Sequence, residues 1–146
     1  MRKILLTFTL LLLSPHLWAA DIDFDKLKGK VVYLDFWASW CGPCRNSFPW
    51  MEQMQQRYGD RGLKIIAVNL DQEPQLAKKF LQQFPVDFQI QYDPKGEMAE
   101  KFGVQTMPTS FLINRDGKAV KKHNGFFKSK RDEYESEIAS LLGGNQ

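Results

Sequence analysis

Short, near-continuous hydrophobic runs alternate along this chain with stretches in which apolar residues recur every three or four positions. Val31–Trp37, VVYLDFW, predicts a strand buried on both faces of a central sheet. Behind it, Phe48, Met51, Met54 and Tyr58 share one helical face, so a helix is expected after Pro43, kinked at Pro49. Gly59 and Gly62 bracket its exit. Residues 63–70, LKIIAVNL, read as a second buried strand. Glu73-Pro74 opens a second helix with Leu76, Phe80 and Phe84 in register. Pro85 stops it, and 86–92 reads as a short strand.

Asp93-Pro94-Lys95-Gly96 is a turn, and 97–102 a short helix ended by Gly103. Residues 110–113 form a strand. Asp116-Gly117 is a hairpin signal, so 119–126 returns antiparallel, as an edge strand given its lysines. Ser129-x-x-Asp132 resembles a capping box. The last helix shows Tyr134, Ile138, Leu141 and Leu142 on one face and ends at Gly143-Gly144. Strands joined by helices predict parallel pairing and an α/β sheet.

The segment before residue 21 does not belong to that pattern. Arg2-Lys3 is followed by an apolar run over 4–13, then Ser14-Pro15 and Ala19-Ala20. That order reads as a secretory signal peptide, cleaved after Ala19 or Ala20. The run is short for a bilayer span, although an uncleaved anchor is the alternative. The division is therefore a signal peptide, 1–20, and one domain, 21–146.

Removing that leader takes two cations from a net charge of +3, leaving about +1. A nearly neutral chain lacks the basic surface that nucleic-acid binding needs. The late cluster of Lys118, Lys121, Lys122, Lys128, Lys130 and Arg131 is interleaved with acids and reads as a solvated edge. A monomer that binds no nucleic acid is expected.

Both cysteines of the chain fall in Trp40-Cys41-Gly42-Pro43-Cys44, where the first strand hands over to the first helix. A Cys-x-x-Cys pair in that place reads as a thiol–disulfide redox site. The helix N-terminus favours a thiolate on the first cysteine, and Pro43 suits a first turn because its missing N–H costs nothing there. A structural zinc site would need four ligands, and beyond these cysteines the chain offers only His16 and His123. A bridge between them would close too small a loop to staple the fold, which argues for chemistry. No metal and no cofactor is expected.

The stretch DFWASWCGPC, Asp35 to Cys44, resembles the active-site segment of thioredoxin-fold oxidoreductases. TMPTSFLI, from Thr106 to Ile113, is similar to the cis-proline segment that faces the cysteines in that fold. Lys28-Gly29-Lys30-Val31-Val32, Asn114-Arg115-Asp116-Gly117-Lys118 and His123-Asn124-Gly125-Phe126 narrow the likeness to the exported TlpA/ResA/DsbE-like branch. The resemblance implies a thioredoxin-like fold, a mixed β-sheet flanked by helices, with 74–92 as a central helix–strand insertion.

It also implies roles. Cys41, exposed at the helix start, is the attacking thiol, and Cys44, one turn in and more buried, resolves the mixed disulfide. Asp35 is a buried acid that shuttles a proton for Cys44. Thioredoxin pairs that acid with a lysine on the next strand, where this chain has Ala67, so Asp35 is expected to titrate high. Gln72 and Glu73 follow that strand, and neither is assigned a catalytic role. Pro108 is expected to be cis, holding the Met107 backbone open to an extended substrate. Trp40, Gly42, Pro43 and Met107 are the expected substrate contacts. Trp37 is read as core, and His123 as a surface residue.

The Gly-Pro dipeptide resembles that of reducing thioredoxins, so the expected activity is reduction of oxidised exported proteins, apocytochrome c among the candidates. A membrane electron donor of the DsbD or CcdA type would resupply it in the periplasm. Two other readings stay open: a disulfide oxidant or isomerase, and a Cu(I) metallochaperone using Cys41 and Cys44 with Met107 or His123.

Overall fold

The structure, a computed structural model, describes residues 22–143. The predicted signal peptide lies outside the described residues. The elements run β1 (Val31–Trp37), α1 (Cys44–Tyr58), β2 (Leu63–Asn69), α2 (Pro74–Gln83), β3 (Gln89–Tyr92), α3 (Glu97–Lys101), β4 (Thr109–Ile113), β5 (Ala119–Asn124) and α4 (Arg131–Leu141). One mixed sheet takes the order β3-β2-β1-β4-β5. Strands β1, β2 and β3 are parallel, and β4 and β5 are antiparallel to their neighbours. The helix–strand unit α2–β3 supplies one edge of this thioredoxin-like sheet.

Alternation along β1 divides the core. Val31, Tyr33 and Trp37 face the cluster closed by α1, α2 and α4. Val32, Leu34 and Phe36 face the one closed by α3 and by Ile22, Phe24 and Leu27 of the lead-in. Every residue of β1 is buried, Asp35 included, as a near-continuous apolar run predicts. Helix α1 runs through Pro49. A proline inside a helix costs about 3 kcal/mol. Phe48 and Trp50, on either side of it, are buried, and each such side chain returns roughly 1.5–3 kcal/mol. Phe48 meets Trp37 at 4.6 Å and Phe80 at 4.9 Å between ring centroids, which fastens α1 and α2 to β1.

Four expectations need correction. Leu76 does not share the buried face of α2. That face is Ala77 and Phe80, with Leu81 and Phe84 packed beside them, and Leu76 is exposed. A small residue at 77 lets the helix lie close against the aromatic cluster. Strand β3 begins only at Gln89, because its pairing with β2 starts at Ile66–Gln89. Strand β5 stops at Asn124, and Gly125, with φ +86°, turns the chain away. Ser129 does not cap α4: it lies inside a 3-10 turn, Lys128–Lys130, and no side chain caps the helix.

Candidate active site

The loop from β1 to α1 is held by a few named bonds. Cys41 N–H donates to Ala38 O at 3.1 Å, and Arg45 N–H to Gly42 O at 3.1 Å. Pro43 stands at the head of α1 with helical φ and ψ. Cys41 and Cys44 are joined as a disulfide with Cα atoms 5.4 Å apart, within the span a bridge requires. Cys44 is fully buried and Cys41 keeps 4% of its surface. Cys41 is thus the more accessible of the two but is not exposed as expected, because the bridge draws its sulfur against the core. Gly42 and Pro43 are exposed, and Trp40 keeps 70% of its surface.

Pro108 reaches the same end of the sheet from the other side. Phe36 pairs with Thr109, so Pro108 falls beyond the end of β4, level with the point where the chain leaves β1 for the cysteines. The Met107–Pro108 peptide bond is cis and Pro108 is buried. Gly125 N–H donates to Pro108 O at 2.7 Å, and Thr109 Oγ1 to Thr106 O at 2.7 Å. Met107 packs against the cluster that contains Cys41 and Cys44. Its backbone N–H and carbonyl take no partner among the described residues.

Asp35 lies on the face of β1 that α1 covers, opposite Ala67 on β2 and Ser110 on β4. It is buried, and its Oδ2 has no partner among the described residues. Burial pushes its carboxyl well above the usual carboxylate range, and no cation pulls it back. The upward shift expected from Ala67 is therefore present.

The sequence reading passed over Asp71. Its carboxylate accepts from Ser39 N–H at 3.0 Å, Ser39 Oγ at 2.9 Å and Asn69 Nδ2 at 2.8 Å. The end of β2 thereby grips the loop that carries Trp40 and Cys41. The signal for it was an Asn-x-Asp pattern at a strand end, where such side chains bond their neighbours' backbone.

His123 is also not where it was expected. Its ring is half-buried against Tyr134, 4.8 Å between centroids, and Nε2 lies 2.8 Å from Glu137 Oε2. An edge strand full of lysines hides this, because His123 shares with Lys121 the side of β5 that faces α4. Among the described residues no three His, Cys, Asp or Glu side chains gather where they could hold a metal ion.

The geometry is that of a dithiol–disulfide couple at a helix start, with a buried acid beneath it and an open backbone edge beside it. Known proteins resemble this chain in sequence and in fold. The redoxin family model matches residues 12–140. Thiol-disulfide oxidoreductase ResA of Bacillus thuringiensis subsp. konkukian is 36% identical over 117 residues, 77% of this chain and 68% of that protein. A putative thiol:disulfide interchange protein DsbE from Chlorobium tepidum superposes with a TM-score of 0.80 at 51% identity, covering 82% of this chain and 84% of that one. StoA from Bacillus subtilis does so at 0.64 and 31% identity, over 74% and 81% of the two chains.

Proposed function

The chain belongs to the redoxin family, and from that premise we propose that it is an extracytoplasmic thiol–disulfide oxidoreductase that reduces disulfides of exported proteins through Cys41 and Cys44. The observation that carries this reading is the Cys41–Cys44 bridge at the head of α1, with Asp35 buried on the strand beneath. In the reduced protein Cys41, the more accessible sulfur, attacks a substrate disulfide as thiolate and releases one substrate thiol. Cys44 then loses its proton to Asp35 and attacks Cys41 Sγ. The Cys41–Cys44 bond forms, the mixed disulfide breaks, and the second substrate thiolate leaves. Two electrons have passed to the substrate, and the bridged state is the product.

The unpaired Met107 backbone supports docking of an extended substrate segment as an added strand. Exposed Trp40, Gly42 and Pro43 supply the rim. The chemistry needs no cofactor, only a source of electrons, and a membrane donor of the DsbD or CcdA type fits an oxidising compartment. Apocytochrome c is one substrate of the right class. The leader-like sequence before residue 21 supports export with cleavage there. Among the described residues no helix is long and apolar enough to cross a membrane. We infer action as a monomer.

Equilibration of the couple against glutathione or dithiothreitol tests the direction. The reductase reading expects a potential near that of thioredoxin, about −270 mV, with reduction of insulin disulfides when dithiothreitol is supplied. A potential above about −180 mV, that of a disulfide isomerase, would overturn it.

A further inference from the structure

Asp35, Ser110 and His123 stand side by side across three strands. Asp35 pairs with Ser110, and Ser110 with His123, so all three project from the sheet face that α1 and α4 cover. Directly paired side chains have Cβ atoms about 4.5–5.5 Å apart. Hydrogen bonds join the row from Ser110 outward, and Asp35 faces Ser110 with no hydrogen bond between them among the described residues. Ser110 Oγ lies 2.8 Å from the Tyr33 hydroxyl and 3.4 Å from His123 Nδ1. His123 Nε2 lies 2.8 Å from Glu137 Oε2, and Glu137 Oε1 lies 3.0 Å from Lys121 Nζ. Tyr33 and Ser110 are buried, whereas the side chains of His123 and Glu137 keep 14% and 16% of their surface. The row starts in the core beside Asp35 and ends at solvent.

Nothing in the disulfide exchange described above uses these groups. Buried hydroxyls and a half-buried imidazole are costly where apolar side chains would pack. Asp35 has a need that they meet. To accept the Cys44 proton it must first be empty, and burial makes it hold its own. Asp35 itself keeps only 2% of its surface, and Cys44, at the start of the helix that covers it, is fully buried.

We propose that the row Ser110–His123–Glu137, held in place by Tyr33, is the path by which Asp35 exchanges its proton with solvent. The proposal rests on the reading of Asp35 as the base for Cys44. Ser110 and His123 are positioning residues in it, since they act through Asp35. Rotation of the Asp35 side chain brings its carboxyl to the Ser110 hydroxyl it faces, which stays beside His123 Nδ1. The carboxyl proton passes to Ser110 Oγ as the hydroxyl proton passes to His123 Nδ1. His123 releases its Nε2 proton toward Glu137 and water, and solvent exchange restores the starting tautomer. No electron moves, and Asp35 is left ionised. The titratable groups facing His123 are Glu137 and Tyr134 of α4 and Lys121 of its own strand. Tyr33 of its own strand faces Asp35, Cys44 stands at the start of α1, which covers that face, and Ala67 of β2 brings no titratable group.

Single-turnover reaction of the reduced protein with a model disulfide separates the steps, with attack by Cys41 followed apart from product release. His123→Gln keeps a hydrogen-bonding side chain that cannot be protonated, and Ser110→Ala removes the hydroxyl. Both are expected to leave attack unchanged and to slow release roughly a hundred-fold, the lower end of the range for a positioned proton-transfer group. Added imidazole should speed release in His123→Ala, where it can take the place of the lost ring, which a packing defect would not allow. Asp35→Asn is measured beside them. If it alone is slow, the base reading stands and the path is wrong. If it too releases product at the wild-type rate, the base reading falls and takes the path with it.

Discussion

Asp35 and Ala67 face each other across the parallel β1–β2 pair, so the next strand brings a methyl group to the buried carboxyl where a cation would lower its proton affinity. The consequence for stability has a definite sign. The folded carboxyl holds its proton above the ordinary value of 3.8. Below that value both folded and unfolded chains carry the proton, and the group makes no pH-dependent difference. As pH rises past it, the unfolded chain ionises freely while the folded chain resists, so Asp35 subtracts from stability over a window reaching up to its folded pKa. Asp35→Asn is therefore expected to match wild type in denaturant melts near pH 3 and to exceed it at neutral pH. A variant less stable than wild type at pH 7 would contradict the account.

The Asp71 carboxylate is surrounded by donors from Ser39 and Asn69. Oδ2 accepts from Ser39 N–H and Asn69 Nδ2, and Oδ1 from the Ser39 hydroxyl, so removing the carboxylate strands all three. Asp71→Ala is expected to cost about 1–3 kcal/mol in urea melts, the cost of leaving a buried donor unpaired. It should also loosen the segment carrying Trp40, read as faster amide exchange at Ser39. Asp71→Ala with wild-type stability and exchange would show that the clamp contributes nothing.

Gly125 has φ +86°, and a Cβ on it would stand 3.3 Å from the Phe127 ring. Its N–H holds Pro108 O. Gly125→Ala combines left-handed backbone strain of roughly 1–2 kcal/mol with displacement of Phe127. The expected result is a stability loss of that order together with a raised KM for protein disulfides, since the Pro108 segment moves. An unchanged KM beside the stability loss would separate Gly125 from the substrate edge.

Much of this was legible in the sequence because local pattern decides it. The near-continuous apolar run at Val31–Trp37, the period of Phe48, Met51, Met54 and Tyr58, and Asp116-Gly117 each specify their element without distant help. The Cys-x-x-Cys pair was legible from its place between a strand and a helix, and the cis bond at Pro108 and the fold by resemblance. What stayed hidden depends on register. Leu76 and Ala77 are both apolar, and only the docking of Phe80 onto Trp37 selects Ala77 for the inner face. His123 is separated from Ser110 by a hairpin and from Glu137 by a turn and half a helix. Its membership of a buried polar row follows from strand pairing, which a hydrophobicity pattern does not encode. The exposure of Cys41 was misjudged for a related reason: position at a helix start says nothing of what the bridge packs against.

The central claim is that Cys41 attacks and Cys44 resolves, and trapping tests it most directly. Cys44→Ser protein, reduced and then mixed with an oxidised protein substrate, is analysed by non-reducing electrophoresis and mass spectrometry. The account predicts a stable mixed disulfide through Cys41 in Cys44→Ser and none in Cys41→Ser. Equal trapping by the two variants, or trapping through Cys44 alone, would contradict it.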